Sequence, residues 1–244
     1  MKNLHIDELE VVANYLKDKL KPQTLVDIGA MNGDCTDKFR DRNWNCFTVE
    51  CNSSLLTELY EKYSNYDNVK VINKAIADEN KKYKLYKSDE SLGITSLLNF
   101  HTTHKFSEEV DAITFSDLVS EYSINNIDFL KIDIEGLDYY VLNDEEFQKI
   151  IPKVVLVEFE HNKHKKINLG VDDLINKLTS CNYEVYIFEW FPIERYGIKH
   201  RFKEFYKYDG RDLNNNSWGN ILAFSEKPNK FKLNYLVKKN INKF

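Results

Sequence analysis

The chain has 244 residues, 42% of them hydrophobic, which suits one globular domain with an ordinary core and argues against two independent ones. Its formal net charge of −5, with Lys interleaved among Asp and Glu, offers no basic face and argues against nucleic acid as a partner. The cysteines (Cys35, Cys46, Cys51, Cys181) lack C-x-x-C spacing, which points to reduced thiols without a zinc site, and no apolar run reaches the ~18 residues of a membrane span, so a soluble, cytoplasmic protein is expected.

Leu4, Leu9, Val12, Ala13, Leu16 and Leu20 recur at helical spacing and predict a first helix over residues 3–20, ending near Pro22. Residues 25–28 read as a strand that enters a sharp turn containing Gly29 and Gly33, followed by a helix to about Asp41. Glycines there allow positive φ and close backbone approach, and the first amides of the helix face the same place, so a small-molecule pocket is expected. A dinucleotide loop of the G-x-G-x-x-G type needs glycine at 31 and 34, where this chain has Met31 and Asp34.

Residues 45–50 form the second predicted strand, Ser53 opens a helix carrying Leu55, Leu56, Leu59 and Tyr63, and residues 69–72 form the third strand, running on to Asp78. Strand and helix alternate through short links, the pattern of a parallel sheet. Residues 81–114 interrupt this rhythm with two short strands (83–86 and 110–114) around a polar stretch that holds Ser96, His101 and His104. A helix (116–122), a strand (127–134), Glu135-Gly136 and another helix follow. The run 154–157 is continuously apolar, as a strand covered on both faces must be. A helix (171–179) and strands at 183–189 and 219–224 complete the pattern, with an aromatic and charged insertion over 190–218. The stretch 228–244 carries five lysines and reads as a loosely docked basic tail.

Ligands of open α/β sheets bind beyond the carboxyl ends of the strands, where this chain places Asp27, Glu50, Asp78, Asp133 with Glu135, and Glu158 with Glu160. Glu50 follows Asp27 by 23 positions, near the spacing at which a strand-end carboxylate takes both hydroxyls of a ribose. NAD and S-adenosylmethionine both carry that ribose.

Val26-Asp27-Ile28-Gly29-Ala30-x-x-Gly33-x-x-Thr36, Glu50, Asn73-x-Ala75-Ile76-x-Asp78, Ser96-Leu97 and above all Asp128-Phe129-Leu130-Lys131-Ile132-Asp133-Ile134-Glu135-Gly136 resemble the FkbM family of S-adenosylmethionine-dependent methyltransferases. The chain departs from that pattern at Met31, Cys51 and Ser116, where the family usually has Asn, Pro and Asp. The resemblance implies a Rossmann-like α/β fold with a seven-stranded, mostly parallel sheet whose last strand is antiparallel, and helices on both faces. The resemblance runs from about Thr24 to Glu160, with a weaker echo at Trp218-Gly219-Asn220-Ile221, and a single methyltransferase domain over 1–227 is expected. It also implies that Asp27, Gly29, Ala30, Asn32, Gly33 and Thr36 lie along the methionine and ribose of S-adenosylmethionine, that Glu50 takes the ribose hydroxyls, that Cys51 and Asp78 flank adenine, and that Asp133 sits beside the methionine or the transferred methyl.

The activity so implied is O-methylation of a sugar hydroxyl in a glycan, glycolipid or nucleotide-sugar, the acceptor being a small molecule or a glycan and the assembly a monomer or a homo-oligomer. An NAD-dependent oxidoreductase and an inactive methyltransferase-like binding module are the alternatives. Methyl transfer to a hydroxyl needs alignment and proton removal, and Asp133, Glu135 and His161 are the candidate groups for the latter. His161-x-x-His164 and His101-x-x-His104 have no distinctive metal-ligand spacing with a carboxylate, and no metal is expected. The ring-rich 190–218 insertion is expected to cover the acceptor, or else to form an interface or a small satellite core.

Overall fold

A computed structural model describes residues 4–17, 22–42, 44–213 and 217–243. Strand β1 (Leu4–Ile6) precedes helix α1 (Glu8–Leu16), which is capped where the Asp7 carboxylate accepts from the Glu10 amide at 2.8 Å. The expected helix is thus shorter at its start, because residues 4–6 are drawn into strand pairing. Its residues 3 and 18–20 lie outside the described ones. Strand β2 (Gln23–Ile28) is buried throughout, and α2 (Asp34–Asp37) is one turn long rather than reaching Asp41. It stops early because Phe39 turns inward against Trp44 and Phe129, at ring distances of 4.6 and 5.4 Å.

The alternation then continues through β3 (Trp44–Glu50), α3 (Ser53–Tyr63) and β4 (Val69–Asn73). Asn52, not Ser53, caps α3 by accepting from the Ser54 amide at 3.1 Å. The excursion after it is more ordered than expected: β5 (Ala75–Ile76), β6 (Lys81–Ser88) and β7 (His104–Ile113) make a separate three-stranded sheet in the order β5-β7-β6. Helix α4 (Phe115–Glu121), β8 (Phe129–Ile132), α5 (Asp138–Asn143), α6 (Glu145–Ile150), β9 (Val154–Glu160), α7 (His161–His164) and α8 (Val171–Ser180) follow. The chain closes with β10 (Glu184–Trp190), β11 (Phe202–Lys207), β12 (Trp218–Phe224), α9 (Lys230–Asn240) and β13 (Ile241–Lys243).

The main sheet has the order β4-β3-β2-β8-β9-β12-β10-β11. Strands β4, β3, β2, β8 and β9 are parallel, and β12 enters antiparallel to β9 and β10, as expected of the last strand. The count is eight rather than seven, because β11, from the 190–218 insertion, adds to the edge by pairing antiparallel with β10. Its rings do the pairing: Phe205 stacks on Tyr186 and lies 4.5 Å from Phe188, while Phe202 meets Trp190 edge-on.

Alternate residues of each strand face opposite layers. Val26, Ile28, Leu130 and Val155 pack with α4, α5, α6 and α8, whereas Leu25, Phe129, Leu156 and Leu222 pack with α1 and α9. The basic tail is docked, contrary to expectation. Leu233, Leu236 and Val237 of α9 are buried against the α1 layer, and β13 pairs with β1 from Leu4–Lys243 to Ile6–Ile241. Lys230, Lys238 and Lys239 are exposed on the outer side of α9, so the count of lysines masked an apolar stripe.

Candidate active site

The turn after β2 is shaped by two tight approaches. Gly29 has φ +75°, and a Cβ there would lie 1.9 Å from the Asp133 carbonyl oxygen; Gly33 has φ +83°, and its Cβ would meet the Tyr63 hydroxyl at 2.1 Å. Beneath the turn, fully buried Asp27 accepts from the Thr36 hydroxyl at 3.0 Å and lies 3.6 Å from the Lys131 ammonium. Lys131 also donates to the Gly29 carbonyl at 2.5 Å and lies 3.4 Å from Asp133. Asp27 and Thr36 therefore brace the loop from below and line neither adjoining cleft.

A first cleft opens above this turn, lined by Gly29, Met31, Glu50, Cys51, Leu55, Ile76, Leu85, Ser96, Asp133 and Glu135 among others. Glu50 is fixed within it: Oε1 accepts from the amides of Cys51 and Asn52 and Oε2 from that of Met31, each at 2.8 Å. A carboxylate has about four acceptor sites, so one remains on Oε2. Burial pushes the Glu50 carboxyl up and the three amides pull it back. Four more of the expected cofactor residues lie outside this lining. Ala30 and Gly33 are loop backbone outside the lining, Asn32 is exposed and caps the Asp34 amide, and Asp78 is exposed and bonded to the Tyr83 hydroxyl.

At the ends of β8 and β9 sits a buried charge cluster. Lys163, 1% exposed, places its ammonium 2.5 Å from Glu135, 2.7 Å from Glu158 and 3.1 Å from Glu160. Tyr196 donates to the other oxygen of Glu160 at 2.8 Å. Three carboxyl groups share one ammonium in a dry site, so burial raises Glu135 well above the carboxylate range and Glu158 to about 8, against the pull of Lys163. Oxygens of Asp133, Glu135 and Glu158 lie within 4.8 Å of one another, close enough to share a cation, and Lys163 already supplies one to two of them.

Glu135 has φ +59° and Gly136 φ +107°, a turn held by Asp138, which accepts from the amides of Ile134 and Gly136 at 3.1 and 3.0 Å. The carboxyl group of Glu135 is thus paired with Lys163 while still lining the first cleft. His161 lines a different cleft, with Phe100, His101 and Tyr196, and is not brought to Asp133. Lys163 and Asp138 were not singled out in the sequence; the only local signal for Lys163 is its position three residues after Glu160.

A second cleft lies on the other side of Asp133, lined by Glu8, Asp34, Lys131, Trp190, Trp218, His200 and Asn220 among others. Among the described residues, Asp133 is the one common to both clefts. Glu8 accepts from the Trp190 indole at 2.6 Å and from the Asn220 amide. Burial, outweighing these bonds, pushes its carboxyl from 4.5 to about 8. A carboxyl that titrates higher when folded contributes its stability in full below about pH 4.5 and loses it as the pH rises through about 8. Glu8→Gln removes that loss, so the Tm difference between variant and parent is expected to rise steadily from about pH 5 to about pH 8. A pH-independent difference would show that Glu8 titrates normally.

The model of the family described as the Methyltransferase FkbM domain matches residues 27–185. No curated protein matches the chain. Among solved structures it is similar to a precorrin-6y C5,15-methyltransferase from Geobacter metallireducens (13% identity, 90% of this chain and 87% of that one, TM-score 0.46). It is also similar to a protein from Streptococcus mutans in complex with SAH (10%, 89% and 97%, 0.47) and to an rRNA methylase from Streptococcus thermophilus (8%, 90% and 94%, 0.47). No helix of the described residues is long and apolar enough to cross a membrane.

Proposed function

This chain belongs to the FkbM methyltransferase family, with S-adenosylmethionine as its cofactor, and on that premise we propose that it methylates a hydroxyl of a sugar-bearing acceptor, with the first cleft holding the cofactor and the second the acceptor. The observation that carries this reading is Asp133, which alone among the described residues lines both clefts. The residues of the first cleft fit the cofactor. Glu50 keeps an acceptor site for a ribose diol, Gly29 leaves the loop open to close approach, and Leu55, Ile76 and Leu85 offer apolar walls for a flat ring.

Bound there, S-adenosylmethionine supplies a methyl group already activated on a sulfonium. The protein's part is alignment and proton handling. Asp133 accepts the proton of the acceptor hydroxyl, Lys131 orients Asp133 from below, and the buried Lys163 cluster fixes the adjoining Glu135 turn. An oxidoreductase is not favoured, since Met31 and Asp34 deny the dinucleotide loop its glycines.

Titration calorimetry tests the premise: S-adenosylmethionine is expected to bind and NAD is not, and the reverse would overturn the assignment. Glu50→Ala is expected to weaken cofactor binding by about 1.5–3 kcal/mol, roughly ten- to a hundredfold, through loss of charge-assisted hydrogen bonds. Undiminished affinity in a folded variant would mean that Glu50 serves only the loop.

A further inference from the structure

We propose that the second cleft admits an uncharged saccharide and turns away sugars that carry a phosphate. This rests on the functional reading above and narrows its substrate class. Five carboxyl groups line the cleft, on Asp7, Glu8, Asp34, Asp37 and Asp133, against two lysines, Lys38 and Lys131. Both lysines are already engaged. Lys38 is bonded to Asp7 and Glu10 at 3.0 and 3.1 Å, and Lys131 is held between Asp27, Asp133 and the Gly29 carbonyl.

Asp37 is compensated from outside the cleft by Arg40 and Lys62, at 2.9 and 2.5 Å. Of the imidazoles, His200 is pushed down by burial and enters as a neutral ring. Among the described residues, a phosphate brought in here meets only lysines already paired with carboxylates, together with several carboxylates of its own sign.

The rest of the lining suits a neutral polyhydroxyl ring. Trp190 and Trp218 are stacked with centroids 5.4 Å apart, and His200 meets Trp218 edge-on at 4.9 Å, giving an aromatic wall of the kind on which the C–H face of a sugar rests. Glu8 and Asn220 stand beside this wall as hydrogen-bonding groups, with Asp133 at the boundary with the first cleft. Sugars are activated for assembly as phosphate esters. A site that refuses phosphate therefore acts after glycosyl transfer or phosphate removal, on the sugar already in place in a glycan or glycoside.

The experiment offers the full chain labelled S-adenosylmethionine with methyl glycosides of common hexoses and deoxyhexoses, and with the matched hexose 1-phosphates and nucleotide diphosphate sugars. We expect kcat/KM for the glycosides to exceed that for their phosphorylated counterparts by tenfold or more. Asp34→Lys, at an exposed position of the cleft, is expected to narrow that ratio severalfold. Equal or better use of the phosphorylated sugars, or an unchanged ratio in Asp34→Lys, overturns the proposal. Transfer to no saccharide while calorimetry shows cofactor binding overturns it too, whereas failure to bind S-adenosylmethionine at all would overturn the functional reading beneath it.

Discussion

Asp133→Asn is expected to lower kcat by about 10²–10⁴-fold, the range that general base catalysis supplies, while changing cofactor affinity by no more than about tenfold. The amide keeps the shape of the side chain and removes its ability to take a proton. The fold should survive, because Lys131 retains Asp27 and the Gly29 carbonyl when the charge on residue 133 is gone. Single-turnover kinetics with saturating cofactor separate the chemical step from binding. Turnover within threefold of the parent would remove Asp133 from proton transfer and leave alignment as the whole of the protein's contribution.

Lys163→Met is expected to destabilise the protein by about 3–5 kcal/mol, since it strands Glu135, Glu158 and Glu160 in a buried site without their cation. Adding Glu158→Gln to that variant should recover part of the loss, because the remaining repulsion falls with each carboxylate removed. Urea unfolding measures both, with a shifted midpoint at constant slope as the signature. A Lys163→Met protein as stable as the parent would mean that the carboxyl groups hold protons and need no ammonium. The same variant separates support from chemistry: cofactor affinity falling in step with stability would make the cluster a scaffold for the Glu135 turn.

The parts legible in the sequence share one property, that their signal is local. The buried run at 154–157, the glycine turn and the strand-end carboxylates Glu50 and Asp133 follow from side-chain period, turn chemistry and position relative to a strand end. For the same reason the five parallel strands agree with expectation, while the antiparallel β12 agrees with what the family resemblance implies. Where the reading failed, pairing overrode local pattern. Leu4–Ile6 left the predicted helix to pair with Ile241–Lys243, and within the ring-rich insertion residues 202–207 pair with β10 as an edge strand that the local pattern did not mark.

The site divides in the same way. Sequence placed a loop, a ribose-type carboxylate and a carboxylate pair at strand ends, all of which the fold brings to one region. It could not say that Asp27 and Thr36 face inward, that Glu135 is taken up by Lys163, or that His161 opens on another cleft. Glu8 and Trp190 stand 182 residues apart and meet because α1 and β10 pack on the same layer of the sheet. The charge partner of a buried carboxyl is set by which strands and helices become neighbours, and that is decided by the packing of whole faces, to which no short stretch of chain has access.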